Sequence, residues 1–335
     1  MPFLNKIENY SSLSIVGLEK NTGKTECLNY VLSRLRDSHK QIALTSIGID
    51  GESRDQVTHT QKPEIELSEG MVFVTSELHY KKRKLLSEVL DISRQSTSLG
   101  RLVTARALSK GKVLLSGPAN NKAIKELLAD LKKKGVDLSI VDGALSRKSL
   151  GSPAVTEAMI LATGAALSAN ISQLVFKTQY VYDLIQLPEI NTKLKTKLSE
   201  VGSGIWSVDV EENITDTGIS SVLLIDKKKD KLFKYGYHFF VSGAVTDKFL
   251  DFLKIQKQIS EIQLIVRDFT SIFASSETYY AFVKRGGSIR VLNHTNLLAI
   301  TINPVSPDGY TLNSEELKQA LEHKLDIPVY DIKRI

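Results

Sequence analysis

The residues best placed by type and spacing to do chemistry lie close to the N-terminus, in Gly17-Leu18-Glu19-Lys20-Asn21-Thr22-Gly23-Lys24-Thr25. An apolar run over residues 13–16 leads into this stretch, and an amphipathic pattern over 24–38 follows it. A strand, a loop and a helix in that order turn backbone N–H groups toward one point, where they hold phosphate oxygens. Gly23 lets the backbone approach without a Cβ. Lys24 is predicted to reach the terminal phosphates of a nucleotide, and the Thr25 hydroxyl to ligate Mg²⁺. Gly17, Asn21 and Thr22 complete the expected cradle.

A magnesium nucleotide also needs carboxylate help. Asp50 follows the second apolar run within Ile47-Gly48-Ile49-Asp50-Gly51-Glu52, where the flanking glycines permit a tight loop. It is the first metal candidate and Asp55 the second; the alternative is a turn in which Asp50 caps backbone. Asp142 ends the apolar run Leu138-Ser139-Ile140-Val141 and precedes Gly143-Ala144. A buried strand ending in an acid can hold Mg²⁺ directly or through water, so Asp142 is expected to serve as both metal ligand and catalytic residue. Ser116-Gly117-Pro118-Ala119-Asn120 reads equally as a site loop or an ordinary turn.

Other chemistries find little support. The six histidines show no HxxxH or HxH spacing, and no Gly-x-Ser-x-Gly elbow occurs. The single Cys27 excludes an internal disulfide and a multi-cysteine metal site within one chain. Its place in the first turns of a helix reads as a packing residue, although a helix N-terminus lowers a thiol pKa. No apolar run approaches the roughly 20 residues of a membrane helix. No signal-peptide pattern opens the chain, so a cytoplasmic protein is expected. The net charge of +6 collects in short lysine clusters around residues 81–84, 132–134 and 227–229. With aromatics at only 7%, these clusters read as solvated faces and argue against a nucleic-acid surface.

The elements that must position these residues follow from pattern. With 335 residues, the chain suits one large or two ordinary domains. Strands are predicted at 13–16, 42–47, 71–74, 113–116 and 138–141, and helices at 24–38, 82–94 and 121–134, with Gly135 ending the last. Ser152 and Pro153 look like a helix start, and the apolar stretch 158–167 is expected to be a buried helix. Further strands are predicted at 221–225, 237–242, 263–266, 288–292 and 298–302. A helix capped by Ser314 is expected over 314–324, and an edge strand over 327–330. This alternation predicts an α/β fold with a doubly wound, mostly parallel sheet. The predicted division is a nucleotide-binding domain over 1–200 and a further α/β region over 201–335.

Five residues separate Gly17 from Gly23, where the common P-loop has four, and Leu18 stands where its first glycine would be expected. This spacing resembles dethiobiotin synthetase and its relatives, in the P-loop NTPase branch that also holds the MinD-like ATPases. The MinD-like signature lysine is absent: Glu19 holds that position and Lys20 falls one place late. The intersubunit lysine mechanism is therefore not implied.

Three passages together resemble one family. They are Gly17 to Thr25, Ser46-Ile47-Gly48-Ile49-Asp50-Gly51-Glu52, and residues 297–330 with Ile302-Asn303-Pro304-Val305-Ser306-Pro307-Asp308-Gly309. They resemble the accessory ATP-binding subunit of a reactivase for lysine 5,6-aminomutase and ornithine aminomutase, encoded beside those enzymes in amino-acid-fermenting bacteria. The resemblance implies ATP and Mg²⁺ as cofactors. Its implied partners are an adenosylcobalamin-dependent aminomutase and a MutS-like ATPase subunit, with damaged cobalamin exchanged at the expense of ATP. This chain has no Asp-x-His-x-x-Gly cobalamin motif of its own. Residues 299–304 also resemble the strand-plus-Asn segment that contacts adenine in dethiobiotin synthetase. That likeness would make Asn303 a base reader and fold the C-terminal region back onto the nucleotide; a turn Asn before Pro304 is the alternative. Three function classes stay open: an ATPase that remodels an aminomutase, a small-molecule ligase or kinase, and a nucleotide-binding regulator without turnover.

Overall fold

The computed structural model describes residues 2–36, 38–47, 65–118, 120–144 and 155–334. The chain forms two compact units, Met1–Gln179 with Asn296–Ile335, and Tyr180–Thr295.

In the first unit the strands before the division are β1 (Ser12–Gly17), β2 (Ile42–Ser46), β3 (Ile65–Leu67), β4 (Val72–Ser76), β5 (Ser87–Thr97), β6 (Gly100–Ala107), β7 (Gly111–Val113), β8 (Leu138–Ala144) and β9 (Ala158–Gly164). The helices of this stretch are α1 (Pro2–Ile7), α2 (Lys24–Leu35), α3 (Glu77–Lys81), α4 (Asn121–Lys133) and α5 (Ile171–Ile185), the last running across the division. The second unit supplies α6 (Thr192–Glu200), β10 (Ile205–Val208), β11 (Ile214–Ile219), α7 (Lys229–Leu232), β12 (His238–Val241), α8 (Asp247–Lys254), β13 (Gln263–Val266), α9 (Ser276–Lys284) and β14 (Ser288–Val291). The chain then returns to the first unit with β15 (Asn296–Asn303), α10 (Ser314–Lys324) and β16 (Val329–Asp331).

The first unit is built on a nine-stranded sheet of order β16-β15-β9-β1-β8-β2-β4-β6-β5. From β16 to β4 every pairing is parallel, and only β6 runs against its neighbours, β4 and β5. Period-two burial divides the strand side chains between two faces. Leu13, Ile15, Ile42, Leu44, Leu138 and Ile140 pack with Cys27, Leu28, Val31, Leu32 and Leu35 of α2. On the other face Ala43, Val72 and Val74 pack with Leu131 of α4, and Val141 packs with Ile124. The first unit is therefore a mixed α/β body with helices on both faces of a mostly parallel sheet, as the alternation predicted.

The second unit has its own sheet, β11-β10-β12-β13-β14, in which β12, β13 and β14 are parallel and β10 and β11 are antiparallel additions. Phe240, Ile265 and Leu292 form a core there with Leu194 and Leu198 of α6.

Several expectations are corrected. The stretch 158–167 is not a helix: Ala158–Gly164 is β9, buried along its whole length between β1 and β15. A strand covered on both faces is apolar at every position, and period alone cannot tell it from a buried helix. The expected helix over 82–94 is instead the entry to β5. The apolar residues there fit either period, but Ser93, Ser96, Thr97 and Ser98 are poor helix formers, and Gly100 at φ 90° closes a hairpin onto β6. Residues 221–225 form a 3₁₀ turn, capped by Ser221, in place of a strand. The strand expected over 113–116 is only Gly111–Val113. Asn313, not Ser314, caps α10, accepting from the Glu315 and Glu316 amides. The units divide at 179/180 and 295/296, whereas composition suggested 200/201. The difference arises because residues 296–303 pair with β9, a contact no local pattern encodes.

Candidate functional site

The first strand lies at the place where the sheet order reverses. From β1 the chain passes through α2 to β2 on one side, while β9, β15 and β16 lie on the other. In open α/β sheets, ligands sit beyond the carboxyl ends of the strands at such a point. The loop after Gly17 occupies that position, and its parts explain one another. Leu18 N donates to Ala162 O of β9 at 2.9 Å, so the loop departs tied to a neighbouring strand. The buried Thr22 hydroxyl donates to Glu19 O at 2.9 Å and closes the loop on itself. A Cβ at Gly17 would lie 2.7 Å from that hydroxyl oxygen. Asn21 takes a left-handed φ of 62° and Gly23 one of 87°. After Gly23, α2 begins at Lys24, and Cys27 N donates back to Gly23 O at 3.0 Å.

Two chemical groups meet directly beside this loop. Lys24 Nζ lies 2.8 Å from Asp142 Oδ1, their side chains 25% and 15% exposed. The encounter is dictated by register: Asp142 on β8 faces Ile15 on β1 and Ser46 on β2. Ser46 Oγ and Ile47 N both donate to the Asp142 carbonyl, at 3.2 and 2.9 Å, which fixes the backbone that carries the carboxylate. Thr25 is half-buried in the first turn of α2.

Asn303 arrives from 278 residues further along the chain than Thr25 and packs on the loop. Its Nδ2 donates to Asn21 O at 2.9 Å, and a Cβ at Gly23 would fall 2.9 Å from Asn303 Cβ. Gly164, at the end of β9, is pressed against the same residue: a Cβ there would lie 2.1 Å from Asn303 O. Sequence reading missed the part played by Ala162 and Gly164, because β9 was taken for a helix. The glycine after an unbroken apolar run was the available signal.

Other sequence candidates are placed as follows. Asp50 and Asp55 lie outside the described residues, as do Ser152 and Pro153 of the expected helix start. Gly117 closes on the end of β2, a Cβ there falling 1.7 Å from Ser46 O, while Asn120 caps α4 by accepting from Ala123 N at 2.9 Å. Cys27 is fully buried, and desolvation pushes its thiol up to about 12, against a weaker opposing hydrogen bond with Thr301. The nearby helix N-terminus does not activate it, so it is a packing residue.

The residues present fit a magnesium-bound phosphate chain. The loop opens α2 at its N-terminus, and Lys24 supplies the cation. Thr25 and Asp142 supply oxygen donors. Among the described residues no cluster of three or more His, Cys, Asp or Glu could hold a metal alone. Magnesium at phosphate sites uses few protein ligands and takes the rest from phosphate and water.

No protein-family model and no curated protein matches this chain. Among solved structures, the chain is similar to a ParA family ATPase from Chlorobium tepidum TLS, with 11% identity and a TM-score of 0.24 over 94% of this chain and 90% of that one.

Proposed function

We propose that this chain is a Mg-ATP-binding P-loop protein that serves as the accessory ATPase of a reactivase for a cobalamin-dependent aminomutase. The observation that carries the nucleotide half of this reading is the Lys24–Asp142 pair at 2.8 Å, set beside the Gly17–Gly23 loop where the sheet order reverses. The aminomutase half rests on the resemblance of the loop, of residues 46–52 and of residues 297–330 to that accessory subunit.

In this reading Lys24 leaves Asp142 to neutralise the β- and γ-phosphates, and Asp142 turns to the metal with Thr25. Bound Mg²⁺ supplies charge neutralisation on the phosphate oxygens. Asn303 holds the loop at Asn21, so a change in the loop is passed to the segment after β15. Asp50 completes the metal set, and the hydrolysis-dependent release of its loop shifts affinity for the aminomutase and its MutS-like partner. The test is a calorimetric titration of Mg-ATP beside Lys24→Ala, followed by reactivation of inactivated aminomutase with both subunits present. Equal binding by the variant sinks the nucleotide half; unchanged ATP-dependent reactivation by Lys24→Ala sinks the whole.

A second reading, a dethiobiotin-synthetase-like ligase or kinase, rests on the resemblance of residues 299–304; the Asn303 amide itself is engaged with Asn21 O and Val305 N. This reading requires ADP release that depends on an added small carboxylic acid, with no aminomutase present.

A further inference from the structure

The second unit carries an exposed segment, both apolar and basic, between β11 and β12. It opens with a 3₁₀ turn, Val222–Lys227, capped by Ser221, whose hydroxyl accepts from Leu223 N at 3.3 Å. Side chains three apart in such a turn share a face. Val222 and Ile225 are both buried, so the turn holds Leu223 and Leu224 outward, and Leu223 is 70% exposed. Further on, α7 buries Leu232, and the Phe233 ring packs against Tyr237, Phe239 and Phe252 with centroids at 5.6, 5.7 and 6.1 Å. The segment is thus locked to its unit at Val222, Ile225, Leu232 and Phe233 while the two leucines face solvent. Tyr235 is exposed as well, with Lys234 Nζ 5.0 Å from its ring centre. Residues 226–234 hold five lysines against two aspartates, Asp226 and Asp230. Lys228 Nζ is committed to Gly218 O at 2.6 Å, whereas Lys231 and Lys234 are exposed. The lysine run that reads as a solvated face in sequence therefore has a fixed apolar pair beside it.

We propose that residues 222–235 are a docking surface for an anionic lipid bilayer. Leu223 and Leu224 enter the boundary between headgroups and acyl chains, and the lysines meet lipid phosphate and carboxylate groups. The charge decides among occupants. A second copy would bring the same lysines against these and be repelled. A folded partner needs roughly 1,200 Å² of buried surface, more than a two-leucine knob supplies. Reversible attachment to a bilayer takes only a shallow apolar contact joined to a basic cluster, and this segment has both.

The test is co-sedimentation of the full-length chain with vesicles, in low and in high salt. One set is phosphatidylcholine alone, and the other contains about one third phosphatidylserine. The protein is expected to sediment with the phosphatidylserine vesicles only, and less so in high salt. Lys231→Gln with Lys234→Gln is expected to weaken that binding by about tenfold or more. Leu223→Gln with Leu224→Gln is expected to weaken it by about tenfold. Circular dichroism melts that match the wild type establish that the variants fold, and Leu223→Gln alone, at the more exposed position, repeats the test if the pair does not. No sedimentation with phosphatidylserine vesicles, equal sedimentation with both kinds, or unchanged binding by the folded leucine variant overturns the proposal. In the last case, loss on the lysine changes alone assigns the surface to an acidic soluble partner instead.

Discussion

Lys24 and Asp142 are separated by 117 intervening residues, yet two adjacent parallel strands bring them to 2.8 Å. In the proposed reading Lys24 reaches phosphate, so Lys24→Ala is expected to weaken Mg-ATP binding by about tenfold or more, measured by calorimetry. Asp142→Asn keeps the side chain's shape and removes its charge. Nucleotide binding then survives, but its dependence on Mg²⁺ is lost, which titrations with and without the metal separate. Cys27 gives a different kind of prediction. A fully buried thiol pushed up to about 12 stays unreactive toward a thiol reagent at pH 8 in the native protein, and one thiol appears on denaturation. The loop residues were legible from sequence because they are consecutive and their spacing is itself the signal. The role of Gly164 was not, since what constrains it is the backbone of Asn303.

At the scale of elements, β9 decides the most. It carries Ala162, which holds Leu18, and Gly164, which makes room for Asn303. Gly164→Ala would press a methyl into the Asn303 carbonyl. It is expected to cost about 2 kcal/mol of stability in urea unfolding and to weaken Mg-ATP binding with it. Just ahead of β9, the Glu157 carboxylate accepts from Ser11 N and Ser11 Oγ, each at 2.7 Å, and so ties the start of β1. Desolvation pushes this carboxyl up, but the Ser11 hydroxyl and amide together with Lys132 outweigh it and hold the group below its ordinary 4.5. A group whose pKa is lowered on folding stabilises the protein above its unfolded value and loses that contribution as pH falls through the folded one. The urea midpoint of the wild type should therefore exceed that of Glu157→Ala by a constant amount above pH 4.5, and the gap should shrink in more acid solution. A gap that persists at low pH would assign the effect to packing instead. The strands β1, β2, β4 and β8 were read correctly in kind as short apolar runs rich in β-branched residues, and the helices α2 and α4 by their amphipathic period. β9 and β5 were misread, one for being apolar throughout and the other for fitting two periods at once.

At the scale of the molecule, the chain leaves its first unit within α5 and returns to it at Asn296. The second unit is thus an insertion between β9 and β15, strands that are neighbours in one sheet. A fragment of residues 1–200 would lack β15, β16 and α10. Its β9, buried along its whole length in the intact protein, would become an edge with an apolar face on each side. Such a fragment is expected to be insoluble or to lack a cooperative melt by circular dichroism; a cooperative melt near that of the full chain would refute this.

Legible from local spacing and period were the loop from Gly17 to Thr25 as a candidate phosphate cradle, the acid on the fourth parallel strand in chain order after β1, β2 and β4, and the α/β alternation. All are properties of residues near one another in the chain, and local spacing and period express them directly. Strand order and register settled what local pattern leaves open: that Asp142 is the carboxylate beside Lys24, which strand flanks β1 on its other side, and where the chain re-enters the unit that holds the loop, a return that the resemblance of residues 299–304 had implied. A buried strand pairs with whatever neighbour completes its hydrogen bonds and covers its apolar faces, however distant in sequence that neighbour is.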